Sequence, residues 1–119
     1  MNDVFSFEIT QGGGPPAGNY KAKFVGVEQH DHEQYGPGLR WKWEITEGPQ
    51  AGVIASRITS PNPTTGNAAG KLIAGMTGQT LAGGQNISVK ECVGQPFMLS
   101  VQQTKSGSGT RVESAMPID

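Results

Sequence analysis

The chain of 119 residues contains a single cysteine, Cys92. One cysteine cannot form an internal disulfide and cannot build a cysteine-rich zinc site. No apolar run approaches the roughly 18 residues that a membrane-spanning helix needs. No basic segment followed by an apolar one stands at the N-terminus, so no signal peptide is visible. We therefore expect a soluble, cytoplasmic protein without a membrane partner.

Charged residues are also scarce. They make up 16% of the chain, and the formal net charge is −1, whereas an average soluble protein has about 25% charged residues. The composition excludes a protein that is strongly basic along its whole length, but a local basic face remains compatible with it. Glycine (18) and proline (8) are abundant, which indicates many turns and a thin core.

Motifs for catalysis or metal binding are missing or incomplete. Residues 66–72 resemble a phosphate-binding loop, but only three residues separate the glycines and Leu72 stands where a Ser or Thr is required. Residues 30–33, His-Asp-His-Glu, offer two histidines, whereas a closed zinc site needs four ligands, so a solvated loop is the simpler interpretation. We predict that the protein is not an enzyme and uses no metal, cofactor or small-molecule substrate.

Alternation of apolar and polar residues predicts five β-strands. The pattern is clearest in residues 39–46, where Trp41 and Trp43 lie on a wholly apolar face and every other residue is polar. Such a segment is typical of a half-buried antiparallel strand, so both tryptophans are expected in the core. The other four predicted strands are residues 20–28, 53–59, 96–103 and 110–116, and a polar loop is expected at 29–38.

The region between the third and fourth strands has helical spacing. Residues 67–76 predict a short helix, with Asn67 as its N-cap and Gly78 ending it, and a further helical turn is expected at 88–93. Residues 1–14 are expected to form an N-terminal arm or edge strand, because Phe5, Phe7 and Ile9 alternate with polar residues before a Gly- and Pro-rich break. Residues 15–119 then form a single domain.

This order of elements favours one fold class. Three strands, a helix and two strands follow one another in the OB-fold, a small five-stranded Greek-key barrel. We therefore predict an all-β fold, a five-stranded OB-like Greek-key barrel with one short helix between strands 3 and 4. A simple meander with a helix on one side is the alternative.

The basic residues of the first three strands suggest a function. Lys21 and Lys23 share one face of the first strand, and Arg40 and Lys42 share one face of the second, so pairing of these strands would create one outward basic patch. Such a patch suits a phosphate backbone, although a solvated sheet face also carries Lys and Arg. The candidate nucleic-acid-binding residues are Lys21, Lys23, Tyr35 as a stacking aromatic, Arg40, Lys42, Arg57, Lys105 and Arg111.

Several short motifs resemble a family of small phage and prophage proteins of uncharacterised function. They are Pro-Ala-Gly-Asn-Tyr at 16–20, the aromatic alternation of 35–45 with the turn at 48–52, Lys-Leu at 71–72 and Val-Gly-Gln-Pro at 93–96. The resemblance implies an OB-like barrel from a setting of phage replication or recombination, where binding of single-stranded DNA is expected. Phage single-strand binders often end in an acidic tail, whereas residues 114–119 contain one acid.

Two functional hypotheses follow from these observations. The first is a non-catalytic protein that binds single-stranded DNA. The second is a protein-interaction or assembly module that forms homo-oligomers, in which an exposed strand edge or the N-terminal arm adds a strand to a neighbouring molecule.

Overall fold

A computed structural model describes residues 14–32, 36–104 and 109–118. In these ranges the chain forms a mostly β structure with one short α-helix, which confirms that part of the predicted fold class. The elements are β1 (Gly18–His32), β2 (Gly36–Ile45), β3 (Ile54–Thr59), α1 (Ala68–Thr77), a 3-10 helix (Lys90–Cys92), β4 (Pro96–Gln103) and β5 (Thr110–Pro117). The predicted arm, residues 1–14, lies outside the described part except for Gly14.

The five strands form one antiparallel sheet in the order β3-β2-β1-β4-β5. β1 is the long central strand, because it pairs with β4 along its first part and with β2 along the rest. Its register against β2 shifts between Phe24 and Gly26, so Val25 is an extra, bulged residue. A bulge bends a strand and increases its twist, which lets one continuous strand serve both halves of the sheet.

The hairpin of β1 and β2 is longer than the sequence pattern predicts. The expected loop at 29–38 is largely wrong, since the ladder continues to the pair His32–Gly36. Antiparallel pairing satisfies the backbone groups of both strands whatever their side chains are. The polar residues at 29–32 therefore extend the strand instead of ending it.

One face of the sheet carries the core. Phe24 packs against Trp43 with ring centroids 5.5 Å apart and against Phe97 in a T-shaped arrangement at 6.5 Å. The indole Nε1 of Trp41 donates a hydrogen bond of 2.9 Å to Thr59 Oγ1. Both tryptophans are buried, which confirms the prediction that they belong to the core.

The helix α1 begins and ends as predicted. Asn67 Oδ1 accepts a hydrogen bond of 2.9 Å from the backbone N–H of Gly70, and Gly78 takes the left-handed conformation at the C-terminal end, where a side chain would be strained. α1 packs closely on β5 at Gly75, where an added Cβ would lie 2.7 Å from the carbonyl oxygen of Ala115. Within the described ranges, no helix is long and apolar enough to cross a membrane.

The outer strands β3 and β5 approach each other without forming a ladder along their described lengths. The sheet therefore curls but does not close into the predicted barrel. Side chains lie in this gap instead: the Arg57 Nη1 of β3 donates to the Val112 carbonyl oxygen of β5 at 3.2 Å. We call this gap, between β3 and β5, the seam. The Arg57 guanidinium thus bridges two strands that form no ladder along their described lengths.

Candidate nucleic-acid interface

Four of the predicted basic residues lie on one surface. In the β1–β2 ladder, Lys23 lies opposite Glu44 and Lys42 lies opposite Gly26, and these positions face away from the buried tryptophans. We call this surface of β1, β2 and β3 the outer face. The structure brings together on it the side chains of Lys21, Lys23, Arg40 and Lys42.

Carboxylates lie between the lysines of the outer face. The ammonium groups contact glutamates in three ion pairs, Lys21–Glu47 at 3.3 Å, Lys23–Glu44 at 3.5 Å and Lys42–Glu28 at 3.1 Å. The sequence pattern does not predict these glutamate partners. The position of Glu44 on the polar face of the second strand is a partial signal, but all three contacts depend on how the strands and the following turn come together.

These ion pairs are weak enough to exchange. The lysine side chains in them are between 28% and 48% exposed, and solvent-exposed ion pairs contribute little to stability, typically below about 1 kcal/mol. A phosphate group can therefore take the place of a carboxylate at modest cost. The outer face is best described as a set of occupied but exchangeable anion positions.

Arg40 differs from the lysines of the outer face. Its Nε is buried and has no hydrogen-bond partner, and its guanidinium makes no ion pair with any residue in the described ranges. It lies opposite Glu28 of β1 on one side and Ile58 of β3 on the other. A partly buried guanidinium with unused donors is the strongest candidate anion-binding group of this surface.

Arg57 and Arg111 do not join the outer face. They lie at the seam, where both contact the carboxylate of Glu113. Its Oε1 accepts a hydrogen bond from Arg111 Nε at 2.9 Å, and its Oε2 lies 3.5 Å from Arg57 Nη1. We call Arg57, Arg111 and Glu113 the seam cluster. Only 14% of the Arg57 side chain is exposed, so this residue points inward from an edge strand.

Burial and neighbouring charges shift the pKa values of Arg57 and Glu113. Burial lowers the pKa of Arg57, and the nearby Arg111 charge lowers it further, while Glu113 acts in the opposite direction. Burial alone would raise the pKa of Glu113, but the hydrogen bonds and charges of Arg111 and Arg57 outweigh it and hold that pKa below its usual value. The Glu113 carboxylate is therefore ionised at neutral pH.

The described ranges contain no exposed aromatic side chain on which a base could stack. Phe24, Trp41, Trp43 and Phe97 are buried, and half-buried Tyr20 donates its hydroxyl to the Pro16 carbonyl oxygen at 2.6 Å. The predicted Tyr35 and Lys105 lie outside the described residues. On the outer face the exposed apolar side chains are aliphatic, namely Val25, Ile54 and Ile58.

Two of the groups considered for metal binding or catalysis, His30 and Cys92, have described side chains. His30 lies within β1, opposite Gly38, and not in a loop. The part of the chain that the structure describes holds no group of three His, Cys, Asp or Glu side chains placed to bind a metal ion. Burial, followed by the charge of Glu91, raises the pKa of the Cys92 thiol, so this cysteine is protonated and a poor nucleophile at neutral pH.

The chain matches no known protein-family model, no curated protein and no solved structure. The resemblance to small phage and prophage proteins therefore stays a prediction.

Proposed function

We propose that the protein binds single-stranded nucleic acid, single-stranded DNA in the first place, and performs no catalysis. The observation that carries the proposal is the outer face of β2, where the unpaired guanidinium of Arg40 lies one pleat away from Lys42. Side chains two residues apart on a strand lie on the same face, roughly 7 Å apart. That spacing lets two groups engage neighbouring phosphates of an extended strand.

The strand order supports an OB-like topology for this surface. β1 lies between β2 and β4, β3 and β5 flank the sheet, and α1 comes between β3 and β4 in the chain. Bringing β3 beside β5 gives the cyclic order of a Greek-key barrel. An OB-fold is such a barrel, partly open, and holds oligonucleotides on the faces of its second and third strands. We infer that the seam is the open side of an OB-like barrel.

Binding then proceeds by exchange of anions. The strand first contacts Arg40, whose guanidinium displaces no protein carboxylate, and neighbouring phosphates next replace Glu28 on Lys42 and Glu44 on Lys23. Each contact releases counterions from the nucleic acid, so affinity falls steeply with salt. Bases pack on the exposed aliphatic side chain of Ile58 beside Arg40, and Tyr35 remains the proposed stacking residue. Such contacts give the protein little specificity for the base sequence of the strand.

Fluorescence anisotropy of a labelled oligo(dT) of about 30 nucleotides, long enough for about two OB sites, tests the proposal over a range of salt concentrations. We expect Arg40→Gln to weaken binding and to reduce the slope of log affinity against log salt by about 0.7, the value for one phosphate contact in a single strand. Lys71→Gln is the matched control, because Lys71 lies exposed on α1, away from the outer face.

Two outcomes would contradict this function. Equal effects of Arg40→Gln and Lys71→Gln would mean that only the net charge matters. Absence of binding at low salt would remove the nucleic-acid hypothesis altogether. An oligomer in sedimentation experiments would then favour the assembly module that adds a strand to its neighbour.

A further inference from the structure

We propose that the seam cluster is a second phosphate site, in which Arg57 and Arg111 hold one phosphodiester group of the bound strand. This inference rests on the proposed function, because the phosphate is taken to belong to the nucleic acid. The site is separate from the outer face, since Arg57 points to the opposite side of β3. Its ligand class is a singly charged phosphate ester.

The charges of the seam cluster do not balance. Each lysine of the outer face has its own glutamate, whereas Arg57 and Arg111 share Glu113. Each carboxylate oxygen of Glu113 already faces one guanidinium, so the surplus of one positive charge has no partner among the described residues. Because Arg57 is mostly buried, water screens this surplus less than it would at the surface. A single anion would neutralise it.

The lowered pKa of Arg57 agrees with a role in binding an anion. Burial and the neighbouring Arg111 both disfavour its charged form and lower its pKa, against the opposing effect of Glu113. A bound phosphate would favour the charged form and raise this pKa. The same three side chains would form a complete ion network once an anion is present.

Hydrogen-bond donors are also in excess. A guanidinium carries five N–H donors in a rigid fork that matches phosphate oxygens. Within the described ranges Arg57 uses Nη1, towards Val112 and Glu113, and Arg111 uses Nε. The remaining nitrogens of the two forks are left to receive the oxygens of one phosphate.

A β-bulge places the carboxylate of the cluster. In the β4–β5 ladder, Ser114 pairs with Ser100 but Val112 pairs with Val101, so Glu113 is the extra residue of β5. Bulges near sheet edges re-aim side chains and are common at functional sites. Here the bulged residue turns towards β3 and lies between the two arginines.

The two phosphate sites lie on either side of one edge strand. In the β2–β3 ladder, Arg40 lies opposite Ile58 and the next residue pair is Trp41 with Arg57. In the described ranges, the edge of β3 away from β2 pairs with no strand in a ladder. A nucleic-acid strand that crosses β3 from the outer face therefore reaches the seam within a strand width.

The direct test follows the arginine Nε–Hε signals of the ¹⁵N-labelled protein during titration with inorganic phosphate. We expect the signals of Arg57 and Arg111 to shift in a saturable way, and Arg111→Gln to abolish saturation at Arg57. Arg40→Gln, on the outer face, is the matched control and should leave the seam response unchanged. Shifts of Arg57 that persist in Arg111→Gln or vanish in Arg40→Gln would overturn the site.

Glu113→Gln separates a phosphate site from a purely structural ion pair. Removing the carboxylate raises the surplus charge from one to two, so phosphate affinity should rise by at least about fivefold, the effect of one unit charge at about 4 Å when water screens it fully. Glu91→Gln makes the same change of net charge on the exposed 3-10 helix and should leave affinity unchanged. An unaltered or lower affinity in Glu113→Gln would overturn the proposal.

Oligo(dT) binding distinguishes the source of the phosphate. Arg111→Gln should reduce the salt slope by about 0.7, one contact for a single strand, in addition to the loss seen for Arg40→Gln. An unchanged slope with intact phosphate binding would overturn the assignment to the strand and leave a site for free phosphate. Failure of Arg40→Gln to affect oligo(dT) would instead count against the proposed function and not against the seam site.

Discussion

The Arg57 side chain of β3 donates to the Val112 carbonyl oxygen of β5 across a distance of 3.2 Å. The two strands share no ladder, so this side chain replaces backbone pairing where the curled sheet would otherwise close. An inward-pointing charge also discourages pairing of an edge strand with another molecule. One arginine side chain therefore connects the two edges of the sheet, which form no ladder along their described lengths.

Replacing Arg57 with alanine should destabilise the fold. The variant loses the charge-assisted hydrogen bond to Val112, and such bonds contribute about 1.5–3 kcal/mol when one partner is charged. Urea denaturation followed by tryptophan fluorescence measures the change. Arg57→Lys keeps the positive charge but lacks the planar guanidinium with its several N–H donors, so it should recover part of the lost stability. Unchanged stability of Arg57→Ala would mean that the contact of Arg57 with β5 does not stabilise the fold.

Gly75→Ala should destabilise the protein although alanine is the better helix former. The new Cβ would lie 2.7 Å from the Ala115 carbonyl oxygen, so α1 has to move away from β5, and overpacking of this kind costs about 1–3 kcal/mol. Thermal unfolding provides the measurement. Gly83→Ala is the control, because nothing lies within 4 Å of the added atom. Equal melting temperatures of the two variants would contradict the close packing of α1 on β5.

The lowered pKa of Glu113 predicts a loss of stability in acid. A carboxyl group whose pKa is lower in the folded than in the unfolded state stabilises the fold above its unfolded pKa, and this stabilisation disappears as the pH falls through the folded pKa. We expect the stability difference between wild type and Glu113→Gln to stay constant above about pH 5 and to shrink below the ordinary glutamate pKa of about 4.3. Urea denaturation midpoints measured from about pH 3 to about pH 7 test this expectation. A difference that grows in acid would reverse the sign of the pKa shift.

Removing the partner of Lys42 should tighten nucleic-acid binding. Glu28 lies 3.1 Å from the Lys42 ammonium and 49% of its side chain is exposed, so Glu28→Gln frees this ammonium for a phosphate without disturbing the core. We expect an increase of oligo(dT) affinity of up to about fivefold at low salt, the size of one charge contact in water. Glu91→Gln changes the net charge equally and is the matched control. Equal gains in both variants would show that the outer face has no special part in binding.

Local sequence patterns determined much of the secondary structure. The alternation around Trp41 and Trp43 predicted a half-buried strand, because side chains on a strand point to opposite faces with a period of two. Asn67 and Gly78 predicted the ends of α1, because a cap depends on neighbouring residues alone. The shared face of Lys21 with Lys23, and of Arg40 with Lys42, followed from the same period.

Only the tertiary structure decided how these faces meet. The glutamates beside Lys21, Lys23 and Lys42 are cross-strand or loop neighbours, and their positions depend on register, which no single strand encodes. The inward direction of Arg57 and its pairing with Glu113 depend on the curl of the sheet and on a bulge in the last strand. Sequence determined which residues share a strand face, since that is local geometry. The fold decided which charges meet, because long-range pairing brings together residues that are far apart in the chain.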